Sequence, residues 1–140
     1  MTTDEADLFD TLETQLLGMY EEIGTLSKKK PDGAVNKFKL KFINELLGKV
    51  NSFLENGYLP FDEFSVFEED ELPTASDIVF VLGQYLKSMD KFRFDNTYGD
   101  VMGDIYWLIK GKRSQQETRR SRLMSGQSSL IQSPTRLPAR

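Results

Sequence analysis

The chain of 140 residues has no cysteine and no histidine, and its apolar residues never run long. Without thiols there can be no disulfide framework, no thiolate zinc site, no iron–sulfur ligation and no thiol nucleophile. Without imidazole the commonest general base and a leading transition-metal ligand are gone, which removes most hydrolase triads and most zinc sites. The longest apolar run, Ile78 to Leu82, falls far short of the roughly 20 residues that cross a bilayer. The start, Met1-Thr2-Thr3-Asp4-Glu5, is acidic where a secretory signal is basic and then apolar. The composition therefore leads to the expectation of a soluble cytoplasmic protein with no membrane partner.

Large apolar side chains become scarce after Arg113. Residues 1–113 carry 21 acidic and 13 basic side chains, whereas residues 114–140 carry one Glu and five Arg. The expected organisation is an acidic folded domain over 1–113 followed by a disordered, basic, Ser- and Arg-rich tail over 114–140. About 110 residues are enough to close one hydrophobic core unaided.

Within the first part, Phe9, Leu12, Leu16, Met19, Ile23 and Leu26 recur at spacings of three and four, which predicts an amphipathic helix over Asp4 to Lys30. Acidic residues crowd its start and Lys28 to Lys30 its end, as a helix dipole favours. Pro31-Asp32-Gly33 breaks the chain. Ile43, Leu46, Val50 and Phe53 predict a second helix over Ala34 to Glu55, with Phe38 and Phe42 one turn apart. A long connection, 58–73, follows. Thr74 and Asp77 form a capping box for a third helix whose face reads Ala75, Ile78, Leu82, Tyr85, Met89 and Phe92. Asp95 to Gly99 reads as a turn, and Asp100 to Lys110 as a last short helix, although its adjacent aromatic and branched residues also suit a strand. Three amphipathic helices and a shorter fourth element lead to an all-α expectation: a small antiparallel helical bundle with a disordered C-terminal tail. Trp107 and Tyr106 are expected in its core.

No motif in the chain carries a recognised chemistry. Gly99, Gly103 and Gly111 fit no phosphate-binding pattern. Carboxylates offer the one catalytic route: a magnesium-dependent, all-α nucleotide pyrophosphohydrolase would hold its metal with acids three or four apart on a helix. Glu68 and Glu71 have that spacing but precede a proline, and Asp100 and Asp104 lack a second pair. The expectation is therefore no enzyme, no cofactor and no metal site.

The connection from Phe61 to Asp77 is the densest feature. It sets Phe61, Phe64 and Phe67 among Asp62, Glu68, Glu69, Asp70 and Glu71 with no basic residue, a composition that suits docking onto a basic-rimmed apolar groove of a protein partner. The opposing reading is that the phenylalanines fold back as a lid while the acids stay in water. In the tail, Arg119, Arg120 and Arg122 make a modest basic patch capable of weak, salt-sensitive contact with nucleic acid. The expected function is a protein–protein interaction module, an accessory or adaptor subunit docking through its helical body and the acidic aromatic loop. A homo-oligomer stays open.

Overall fold

The computed structural model describes residues 1–122. The chain folds as helices α1 (Thr3–Lys29), α2 (Lys37–Leu54) and α3 (Ala75–Asp95), followed by strands β1 (Thr97–Gly99), β2 (Ile105–Ile109) and β3 (Lys112–Thr118). The all-α expectation is thus corrected to a mixed fold of three helices and a three-stranded antiparallel sheet in the order β1-β2-β3. The chain divides into two compact units, Thr11–Ser88 and a second one formed by Met1–Asp10 with Met89–Arg140.

The helices form where the periodicity places them. Glu5 accepts from the Thr2 backbone N–H and Thr2 Oγ1 accepts from the Glu5 N–H, a reciprocal cap at the start of α1. Hydrogen bonds from Thr2, first its backbone N–H and then its side chain, hold the Glu5 carboxyl below its usual pKa. Asn36 caps α2 by accepting from the Lys39 N–H at 2.8 Å, which settles the alternating Lys37-to-Phe42 stretch as helix. Thr74 Oγ1 accepts from the Asp77 N–H at the start of α3.

In the unit Thr11–Ser88 the expected stripes bury Leu12, Leu16 and Ile23 from α1, Ile43, Leu46 and Val50 from α2, and Ile78, Leu82 and Tyr85 from α3, whereas Met19, Leu26 and Phe53 are half-buried and α2 also buries Leu40 and Leu47. Backbone bonds from Val35 to Pro73 and from Ala75 to Gly33 tie the segment between α1 and α2 to the end of the connection that leads into α3.

The other unit builds a second core on aromatic residues. Phe9 stacks on Phe92 and meets Trp107 edge-on, with ring centroids 5.1 and 5.2 Å apart. Arg93, 1% exposed, lies over both the Phe9 and Trp107 rings. Asp10 closes this centre: its carboxylate accepts from Arg93 Nη2 at 2.8 Å, Thr118 Oγ1 at 2.9 Å and Trp107 Nε1 at 3.2 Å. Trp107 is therefore a core residue.

The segment 100–110, expected as a helix, is a turn and then β2. Ile105-Tyr106-Trp107-Leu108-Ile109 is an unbroken apolar and aromatic run, favourable for a strand and inaccessible to a period-of-two test because both of its faces carry buried or half-buried residues. The segment Asp95 to Gly99, expected as a turn, contains β1. Lys110 and Gly111, both at positive φ, make the two-residue turn that joins β2 to β3. β3 occupies residues that were expected to open a disordered tail. Its inward groups find partners elsewhere in the unit: Ser114 Oγ donates to the Trp107 backbone carbonyl and Gln116 Nε2 to the Asp7 carboxylate. The expectation of disorder beyond residue 122 lies outside the described residues.

Candidate functional site

The connection between α2 and α3 is fastened by two asparagines seven residues apart on α2, a spacing that puts both on one face of the helix. Asn44 Oδ1 accepts from the Phe67 N–H and Asn44 Nδ2 donates to the Phe67 carbonyl, each at 2.9 Å. Asn51 Nδ2 donates to the Ser65 carbonyl at 3.0 Å, and its Oδ1 accepts from the Tyr85 hydroxyl at 2.7 Å. Burial raises the Tyr85 pKa, partly opposed by that hydrogen bond. The loop thus takes its shape from backbone bonds supplied by side chains.

The three phenylalanines form a chain of ring contacts over α3. Phe61 meets Phe64, Phe64 meets Phe67 and Tyr85, and Phe61 also reaches Phe80. Phe67 is buried, while Phe61 and Phe64 are half-buried. The fold-back arrangement therefore describes the loop, and its acids stay in water: Asp62, Glu68, Glu69, Asp70 and Glu71 are all exposed. Glu69–Glu71 form a single 3-10 turn, closed by Leu72 at φ 49°, ψ 61°. A left-handed backbone at a residue that is neither Gly nor Asn costs roughly 1–2 kcal/mol, and here it presents a leucine that is 57% exposed.

Beneath this turn lies a cavity of about 530 Å³, whose walls carry Glu63, Glu68, Glu71 and Asp77 together with Phe64, Phe67, Val66 and Leu72 and include no basic residue. Of the expected site residues the structure brings Phe64, Phe67, Glu68 and Glu71 to this cavity. Phe61, Asp62, Glu69 and Asp70 do not line it, and Asp70 instead faces Lys37 at 3.9 Å in a fully solvated ion pair. Asn44 and Asn51 were missed from the sequence; an asparagine pair in the interior of a helix, where that residue is a poor former, is the signal that could have marked them.

The basic residues expected to serve a flexible tail are tied down. Arg119 Nη2 donates to Asp90 Oδ1 at 3.3 Å, and Arg120 Nη2 donates to the Gly103 carbonyl at 3.0 Å. The Arg122 backbone N–H and Ser121 Oγ also donate to Asp90. Thus two of the three guanidiniums hold the chain end against the rest of their unit.

The carboxylates do not gather for metal chemistry. Asp100 Oδ1 accepts from the backbone N–H groups of Met102 and Asp104, so Asp100 shapes a turn rather than pairing with the Asp104 side chain. Among the described residues no group of three or more acidic side chains converges as a metal site would require. No helix among them is long and apolar enough to cross a membrane.

A second concavity, about 610 Å³, lies between α1 and α2, where Phe38 and Phe42 meet edge-on beside Met19 and Ile23. Its rim mixes Glu22, Glu45, Lys39 and Lys49, and Lys39 is already bonded to Glu22 at 3.2 Å. Compared with known proteins, the chain matches no family model, no curated protein and no solved structure.

Proposed function

We propose that this protein is a non-catalytic docking module, an accessory or adaptor subunit of the cytoplasm, and that its acidic loop receives a partner segment combining basic and apolar side chains. The observation that carries the reading is the cavity under Leu72, whose walls have four carboxylates beside Phe64, Val66, Phe67 and Leu72 and no basic residue. A lysine or arginine fits such a site along its whole length, its aliphatic stem against Val66 and Leu72 and its charged head among Glu63, Glu68 and Glu71. The asparagine fastening supports the same reading, because a loop already held in shape loses little conformational entropy on binding.

A synthetic peptide alternating Lys and Leu is expected to bind the full chain with an affinity that falls as salt rises. Replacing Glu63, Glu68 and Glu71 together with Lys should weaken that binding tenfold or more, about 1.4 kcal/mol. A control of equal charge change, Asp4, Glu21 and Glu55 to Lys, should alter it less than threefold. Isothermal titration calorimetry gives both numbers. Equal weakening by the two variants would reduce the effect to net charge, and undiminished binding by the first would refute the site.

A further inference from the structure

We infer that two copies of this chain pair face to face through the groove between α1 and α2, with α1 of each copy lying antiparallel on α2 of the other, a surface separate from the acidic loop. The groove lies wholly within the unit Thr11–Ser88. Its aromatic wall stands out into water, since Phe38 is 72% exposed and Phe42 44%. From α1 the groove takes Gly18, an exposed residue in the interior of the helix, where an added Cβ would meet nothing within 4 Å. Glycine is among the least favourable residues for a helix interior. Nothing so close in its own chain requires it, whereas a bulky group arriving from outside does.

The levels of these residues along the groove identify that group. Lys39 bonds Glu22 at 3.2 Å, so the start of α2 lies beside the end of α1 and the two helices run antiparallel. Three residues on from Lys39 and four back from Glu22 is a step of about 5 Å along either helix, which sets Phe42 and Gly18 at one level. A two-fold axis running along the groove keeps every level and exchanges α1 for α2. It therefore lays Phe42 of each copy on Gly18 of the other, aromatic knob on glycine hollow, twice. Four antiparallel helices then enclose Phe38, Phe42 and Met19 from both copies. The rim suits the same occupant. With Glu22 and Glu45 against Lys39 and Lys49 it has no net charge by which to select a strongly basic or acidic partner, but it is complementary to itself. Under the two-fold, Glu22 faces Lys39 of the second copy as well as its own, and the four charges alternate.

Sedimentation equilibrium of the full chain over graded concentrations tests this. Wild-type protein should dimerise, and Phe42→Ser should weaken the dimer tenfold or more. Gly18→Leu separates the interface from the fold: its Cβ meets nothing in its own chain and leucine favours the helix, so helical circular dichroism should hold while dimerisation falls tenfold or more. Glu22→Lys and Lys39→Glu should each weaken the dimer by gathering four like charges. Their equimolar mixture should associate at least fivefold more tightly than either variant alone. Within each chain of that mixture the pair stays like-charged, so only pairing between copies restores affinity. A wild-type chain monomeric at about 1 mM would overturn the proposal and leave the groove to a different protein. Gly18→Leu dimerising as tightly as wild type, or a mixture no tighter than its parts, would overturn it as well.

Discussion

Replacing Asp10 with Ala should lower folding stability by about 3 kcal/mol, the lower end of the range for removing one partner of a buried ion pair. The lower end applies because the Asp10 side chain retains 36% exposure whereas Arg93 retains 1%. The loss falls on Arg93. Its guanidinium lies over the rings of both Phe9 and Trp107 and donates to the Asp10 carboxylate. Trp107 Nε1 and Thr118 Oγ1 lose the same acceptor. Replacing Arg93 with Met as well should recover much of the stability, since the buried charge that lost the Asp10 carboxylate is then gone and the aromatic contacts keep an apolar neighbour. Urea unfolding followed by fluorescence reports on this centre directly, because Trp107 is the single tryptophan of the chain. Additive losses in the double variant would mean that the pair is not coupled.

Asn44→Ala should cost about 2–3 kcal/mol, the sum expected for two hydrogen bonds whose backbone partners are left unsatisfied. Both bonds go to Phe67, which is 8% exposed, so water reaches the freed N–H and C=O poorly. Asn51→Ala leaves the Ser65 carbonyl to water but strips the buried Tyr85 hydroxyl of its acceptor, so its cost should come chiefly from Tyr85, about 1–3 kcal/mol. The two differ further in consequence. Loss of Asn44 should release the segment around Phe67 to limited proteolysis while α2 keeps its helical circular dichroism, and a protease-resistant loop in that variant would show that the ring contacts suffice to hold it.

The helices were legible because their apolar residues keep a period that local sequence alone sets. Phe9 to Leu26 and Ala75 to Phe92 mark α1 and α3 to within a few residues, and even the alternating lysines of 37–41 fell into helix once Asn36 capped it. The sheet was not legible, for two different reasons. β2 is apolar on both faces and so offers no period, and β3, Lys-Arg-Ser-Gln-Gln-Glu-Thr, has almost no intrinsic preference for a strand. It is a strand because Ser114, Gln116 and Thr118 find partners in Trp107, Asp7 and Asp10, contacts spanning 7, 109 and 108 residues of sequence. Composition suggested a free basic tail from 114 onward, whereas Arg119 and Arg120 bond Asp90 and a turn carbonyl. For the loop, the clustering of acids and phenylalanines was visible in the sequence. Their separation into ring contacts and exposed carboxylates was one of the two readings the sequence offered, whereas its fastening by Asn44, 23 residues from Phe67, was not visible.

We propose that a basic, apolar segment docks at the cavity beneath Leu72. Amide chemical-shift mapping of the full chain titrated with the Lys–Leu peptide tests it most directly. Perturbations should concentrate between Glu63 and Asp77, with Leu72 among the largest. Shifts centred instead on Phe38 and Phe42, or spread evenly over all acidic surfaces, would contradict it.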